Sequence, residues 1–138
     1  MIKAEMNIAV DTNILAYLLL GTKPYAAEVR DLILESERIF APDIWRAELV
    51  NVLWMSVKKK VISIDDAIRR LELAESLVTD TIPTLLLWGD AINLAIKSDH
   101  SPYDTLFLVA AQMNRLALFT YDKRLLERFP EQAKRPKN

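Results

Sequence analysis

The 138-residue chain contains no cysteine, a single histidine and only two glycines. Without cysteine there can be no disulfide, no thiolate zinc site and no thiol nucleophile, which fits a reducing compartment. One histidine, His100, is too few for zinc hydrolysis of the His-rich kind. With glycine confined to Gly21 and Gly89, neither a P-loop nor a G-x-G-x-x-G turn can be written, so phosphate-cradling glycine loops are excluded. Long apolar runs are also missing. The longest, such as Ile14–Leu20 and Leu116–Phe119, fall far short of the roughly 20 residues of a membrane span. The N-terminus carries no charged-then-apolar leader ending in a small-residue cleavage site, so a cytoplasmic location and no membrane partner are expected. Nor is there an excess of either charge, the net being −1. A protein that grips phosphates with Lys and Arg alone is strongly basic. The clusters Lys58-Lys59-Lys60, Lys123-Arg124 and Lys134–Lys137 read as solvated surface. If this chain handles nucleic acid, metal ions must supply much of the attraction.

What is present suits one compact domain. Hydrophobic residues make up 51% and charged residues 27%, enough for a core without staples. No repeat or linker interrupts the chain, which reads as one domain over 1–138, with a core of about 6–128 and a polar tail over 130–138. Asn7–Val10 reads as a short buried strand. Helical patterns cover Ile14–Leu20 and Tyr25–Ser36, separated by a turn at Gly21–Pro24. Arg38–Ala41 is a second strand ended by Pro42. A long helix over Asp43–Lys59 is apolar on more than one face, which predicts a helix that is central or shared with another chain. Ser63-Ile-Asp-Asp66 opens a helix to about Val78, Thr81–Pro83 is a short strand, and Thr84–Ser98 is helical. Ser101-Pro102 opens a helix to about Asn114, Leu116–Thr120 is the last strand, and Lys123–Arg128 a short helix. Strands alternating with helices predict an α/β fold with a parallel sheet covered on both sides.

Four carboxylates stand out against this frame. Asp11 closes the first apolar run and Asp122 follows the last, Leu116–Tyr121. Both therefore fall at the C-terminal edge of the sheet, where open α/β sheets place their ligands. Each also has an ordinary explanation, because Asp commonly caps the helix that follows. Asp104, three residues after Ser101, resembles part of a capping box. Ser63-Ile-Asp-Asp66 repeats the capping pattern with no strand before it and suggests no chemistry. Glu48 is different. It lies mid-helix, where no cap is required, with Ile44, Trp45, Asn51 and Val52 one turn away, so it should be at least half buried. An ionised Glu in that setting needs a partner, either a bound cation or an arginine such as Arg46 or Arg115. Thr12, Asn13 and Thr120 stand beside Asp11 and Asp122, suited either to orienting carboxylates or to plain turn chemistry. His100 lies near Asp104, but a lone loop histidine, read as exposed, is assigned no catalytic part.

Asp11-Thr12-Asn13 after the first strand, Trp45-Arg-Ala-Glu48-Leu-Val-Asn51, Tyr103-Asp104-Thr-Leu-Phe-Leu-Val-Ala-Ala111 and Leu118-Phe-Thr120-Tyr-Asp122 together resemble the signature of PIN-domain proteins. The likeness is greatest to the VapC-type toxins of toxin–antitoxin pairs and covers about residues 6–128. Two departures are Thr105, where Ala is usual, and the lack of a clear final strand after Phe129. The resemblance implies a three-layer α/β/α sandwich with a central parallel sheet. It further implies a metal-dependent endoribonuclease, with Asp11, Glu48, Asp104 and Asp122 holding Mg²⁺ or Mn²⁺ and Thr12, Asn13 and Thr120 supporting them. Hard oxygen ligands suit those ions independently of any likeness. The products implied carry 5′-phosphate and 3′-hydroxyl ends, and the partners implied are RNA, a second copy of the chain and a cognate antitoxin. The apolar helix around Trp45, Trp54 and Met55 is a candidate surface for a homodimer or a partner helix, if it is not simply core. A phosphotransferase of haloacid-dehalogenase type would want an acid at position 13, and a receiver domain an acidic pair near Asp11, for which Glu5 is too distant. A catalytically silent PIN-like RNA- or protein-binding module is the remaining alternative.

Overall fold

The computed structural model describes residues 6–137; Glu5 and the two chain ends lie outside that range. Five strands form one sheet: β1 (Met6–Val10), β2 (Ser36–Pro42), β3 (Asp80–Ile82), β4 (Leu118–Phe119) and β5 (Ala133–Lys134). Between them run α1 (Thr12–Leu20), α2 (Tyr25–Leu34), α3 (Ile44–Lys58), α4 (Ile64–Leu77), α5 (Trp88–Ser98), α6 (Pro102–Met113) and α7 (Lys123–Arg128). The strand order is β3-β2-β1-β4-β5 and every pairing is parallel. The chain first builds outward from β1 through β2 to β3, then returns to the other side of β1 for β4 and β5. Right-handed crossovers place the helices of outward and return journeys on opposite faces. In agreement, α1 packs with α2, α3 and α4, whereas α5 packs with α6 and α6 lies on β1, β2 and β4. This is the expected three-layer α/β/α sandwich. The reversal also leaves a crevice between the carboxyl ends of β1 and β4.

Local chemistry accounts for most boundaries. Gly21, at φ +63°, ends α1 in the left-handed conformation that glycine adopts without strain. Ser63 caps α4 by accepting from the Asp66 N–H, and Ser101 with Pro102 behind it opens α6. The segment Thr84–Ser98 is divided, a 3₁₀ turn over Thr84–Leu86 preceding α5. The last strand expected at Leu116–Thr120 shortens to two residues, and a fifth strand, absent from the sequence reading, lies in the polar tail. β5 pairs with β4 through the backbone: the N–H groups of Leu118 and Thr120 donate to the carbonyls of Gln132 and Lys134 at 2.8 and 2.9 Å. Two residues on a sheet edge carry no apolar alternation, so nothing in the side chains announces them.

The central helix is α6, buried from Thr105 to Ala111, and not α3. On α3 only the stripe Trp45, Leu49 and Leu53 is fully buried. Trp54, Val50 and Met55 remain 54%, 50% and 43% exposed, so the second apolar face of α3 looks outward. No helix of the described residues is long and apolar enough to cross a membrane.

Candidate active site

The carboxyl edge of β1 and β4 opens into a cleft of about 480 Å³ lined by Asp11, Thr12, Asn13, Tyr17, Glu48, Asn51, Asp104 and Asp122, among others. All four acids singled out from the sequence therefore meet, although they come from two strand ends and two helices. Thr120 lies beneath them, fully buried.

Three of the acids, Asp11, Asp122 and Glu48, are held by hydrogen-bond donors. Asp11 is still paired to β4, its N–H donating to the Phe119 carbonyl at 3.0 Å. Its Oδ1 accepts from the Thr12 N–H at 2.8 Å, capping α1. Its Oδ2 accepts from Thr120 Oγ1 at 2.8 Å and Asn13 Nδ2 at 3.3 Å. Asp122 Oδ1 caps α7, accepting from the N–H groups of Arg124 and Leu125 at 2.8 and 3.1 Å. The capping reading holds for Asp122, whose side chain also lines the cleft. Thr120 Oγ1 ties the two strand ends together, since it also accepts from the Asp122 N–H and from Asn13 Nδ2. Asn13 Oδ1 completes the link by accepting from the Tyr121 N–H.

Glu48 reaches the cleft from α3 and accepts from Thr12 Oγ1 at 2.6 Å. The arginine alternative fails, because Arg46 turns away to a bidentate pairing with Glu75 of α4. Among the described residues Glu48 has no ion pair with Arg115 either. Asp104 sits in the first turn of α6, and its carboxylate takes up no capping box. Instead His100 Nε2 stands 3.1 Å from Asp104 Oδ2. The reading of His100 as an exposed loop residue is wrong: it is 5% exposed. Its ring meets Phe129 edge-on, from a part of the chain far away in sequence.

The electrostatics follow from crowding in a partly dry place. Asp11 is pushed up to about 7, first by burial and then by Asp104 and Glu48, against the Thr120 and Thr12 hydrogen bonds. Glu48 is raised by burial and by Asp104, and the Thr12 hydroxyl opposes this. Asp104 is raised by burial and then by Asp122, while His100 and Arg124 pull it down. Neighbouring acids penalise one another's charge, and a cation would relieve that. Among the described residues no three acidic or histidine side chains converge as the ligands of one ion. Mg²⁺ does not require that many, since it commonly takes one or two carboxylates and fills the rest with water and substrate phosphate. The donor set of hard oxygens facing one cleft fits such an ion.

Compared with known proteins, the sequence matches the PIN domain family over residues 8–132. This chain belongs to the PIN domain family. No curated protein is significantly similar to this PIN domain in sequence. Solved structures resemble it in fold at low identity. A toxin–antitoxin complex from Klebsiella pneumoniae aligns at TM-score 0.70 and 21% identity, covering 94% of this chain and 97% of that one. VapBC-1 from nontypeable Haemophilus influenzae gives 0.69 and 21%, covering 96% and 100%. VapBC2 from Rickettsia felis, bound to a DNA fragment from its promoter, gives 0.67 and 17%, covering 94% and 98%.

Two residues that line this PIN domain's cleft, Asn51 and Tyr17, and the buried His100 beside Asp104 were given no part from the sequence. Asn51 is one turn beyond Glu48 on α3 and could have been found from that spacing. Tyr17 lines the cleft and stacks on Tyr25, with ring centres 4.7 Å apart, while its edge meets Tyr121. His100 had the helical spacing to Asp104, but its burial depends on Phe129, which no local pattern shows.

Proposed function

We propose that this PIN domain is a metal-dependent endoribonuclease, the toxin of a toxin–antitoxin pair, which hydrolyses RNA phosphodiester bonds by attack of water. The observation that carries this reading is the meeting of Asp11, Glu48, Asp104 and Asp122 in one cleft, where three of them hold raised pKa values. Asp11, Glu48, Asp104 and Asp122 would hold Mg²⁺ or Mn²⁺. When bound, the ion supplies Lewis acidity, making water a better nucleophile and offsetting charge on the phosphodiester. Thr120, Asn13 and Thr12 fix the carboxylates, so little reorganisation remains when substrate arrives. A catalytically silent binding module is the second reading, supported by the lack of a ready three-acid ligand set among the described residues.

The three structural neighbours are toxin–antitoxin assemblies, which supports a cognate antitoxin here. The groove between α3 and α4, lined by Trp45, Val50, Ile68 and Leu71 with Arg46, Glu72 and Glu75 at its margin, suits one amphipathic helix of such a partner. For the homodimer, the supporting feature is the stripe Trp88, Ile92 and Ile96 along α5, 60%, 52% and 75% exposed, with Leu85 and Leu86 ahead of it. Ile92→Asp combined with Ile96→Asp is expected to yield a folded monomer by light scattering where the parent is a dimer. A parent that is already monomeric would dismiss the stripe as a dimer contact. Action in the cytoplasm is part of this proposal, and a chain without cysteine suits such a reducing compartment.

The test is cleavage of a mixed RNA pool with Mn²⁺, with EDTA, and with Asp104→Asn. Cleavage that requires both the metal and Asp104 is the expected result. Mn²⁺ at about 100 times its Kd should also raise stability by about 2.7 kcal/mol, because it binds only the folded state. An unchanged melting temperature across the titration, with no cleavage, would favour the silent module.

A further inference from the structure

Three of the four acids in the cleft are held by hydroxyl or backbone donors: Asp11 by Thr12 and Thr120, Glu48 by Thr12, Asp122 by Arg124 and Leu125. Asp104 is the exception. Among the described residues its oxygens meet no hydroxyl or backbone donor, and the group beside it is the imidazole of His100, Nε2 to Oδ2 being 3.1 Å. The His100 side chain is 1% exposed whereas that of Asp104 is 33% exposed. Neither ring nitrogen has an aligned hydrogen bond. The short Nε2–Oδ2 approach is therefore bent, off the N–H direction rather than along it. Buried polar atoms are rarely left in that condition without a reason.

The ring itself has little freedom. His100 occupies the tight link between α5 and α6, after Asp99 in the left-handed conformation, and its N–H donates to the Ala95 carbonyl at 3.0 Å. Thr105 Oγ1 bonds the Ala91 carbonyl at 2.7 Å, fastening the start of α6 to α5. Phe129 closes the other side, its ring centre 5.8 Å from that of His100 at 73°. The carboxylate of Asp104 is the more exposed of the two groups and lines the cleft.

We propose that His100 is the positioning residue of Asp104, a buried donor that fixes one carboxylate oxygen so that the other is presented to a cation in the cleft. This rests on reading the cleft as a metal site. Carboxylates that ligate metals are commonly fixed by such a hydrogen bond, and losing one costs about 10- to 100-fold in affinity. His100 touches neither substrate nor metal in this account. The role requires an N–H at Nε2, the ring nitrogen that stands 3.1 Å from Asp104 Oδ2.

Three substitutions separate positioning from filling of space. His100→Gln can return an N–H near the place of Nε2; His100→Asn returns one near Nδ1, away from Asp104; His100→Leu keeps bulk and removes both. Two readouts are taken on full-length protein: Mn²⁺ affinity by calorimetry, and the Asp104 side-chain conformation in metal-free crystals. The expected result is Mn²⁺ affinity weaker by about 10- to 100-fold in the Leu and Asn variants, with Asp104 displaced, while Gln retains both properties. Melting temperatures taken alongside show which variants are folded and comparable. Asp104 unmoved in the Leu variant, with Mn²⁺ affinity within about twofold of the parent, would overturn the proposal. If the parent itself does not bind Mn²⁺, the metal reading falls, and the Asp104 conformation alone then decides whether His100 positions it.

Discussion

Asp11→Asn is expected to reduce Mn²⁺-dependent RNA cleavage to the level seen with EDTA while making the metal-free protein more heat-stable above neutral pH. The two effects have one origin. Asp11 is 8% exposed and is held up to about 7 by burial, with Asp104 and Glu48 adding to it. Its folded pKa lies above the unfolded value of about 3.9, so the native state binds this proton more tightly. Stability from this group is full below about pH 4, falls as pH rises towards about 7, and is lost above that. The difference corresponds to roughly 4 kcal/mol at about 1.4 kcal/mol per pH unit. Asparagine carries no charge and escapes this cost, and its amide oxygen can still cap α1 by accepting from Thr12. Melting curves in EDTA at pH 8 should therefore favour the variant by about 10 °C, at roughly 3 °C per kcal/mol for a domain of this size, and the gap should close near pH 4. Adding Mn²⁺ should reverse the order at pH 8 by stabilising only the parent. A variant that melts lower at pH 8 without metal would mean that the hydrogen bonds of Asp11 outweigh the cost of its charge.

Trp45→Ala is expected to destabilise the domain by about 3–5 kcal/mol, a large part of the roughly 5–15 kcal/mol that holds a domain folded. Trp45 is 1% exposed and its Nε1 donates to Thr81 Oγ1 at 3.0 Å, joining α3 to β3. Truncation leaves a cavity and a hydroxyl without its donor. Trp54, nine residues further along the same helix, is 54% exposed with Lys58 over its ring. Trp54→Ala should cost less than about 1 kcal/mol in the isolated chain. Urea midpoints at matched m-values measure both. Equal losses would show that Trp54 is covered in solution and that the outer face of α3 carries a contact between chains.

The two tryptophans illustrate how far local pattern reaches. From the sequence, α3 looked apolar nearly all round, and Trp45, Trp54 and Met55 looked alike. Which of them is buried depends on how the whole helix is set against α1 and α4, and a helix with excess apolar residues does not declare that. Asp11 and Asp122 were easier, because an apolar run ending in Asp before a helix is a local statement about a strand end and a cap. Both prove to be caps, and both line one cleft with Glu48 and Asp104. Thr120 and Asn13 could be named as supporters, but their joint hydrogen bonding across β1 and β4 follows from those strands being neighbours. Glu48 was flagged by what it lacked, a reason to be charged in an apolar setting, and its partner turned out to be Thr12 and not an arginine.

The sequence by itself determined the strands β1 and β2, the long helices with their Ser, Asp and Gly ends, and the four acids, since each is set by neighbours within a turn or two of the chain. It also carried enough ordered motif to place the chain among PIN domains. Only the tertiary structure decided that β4 returns beside β1, that a two-residue β5 pairs with β4 through the backbone, and that His100 is sealed by Phe129 against Asp104. Those outcomes rest on contacts through space between residues distant in sequence, and so do the raised pKa values, because charge and burial act over ångströms and not along the chain.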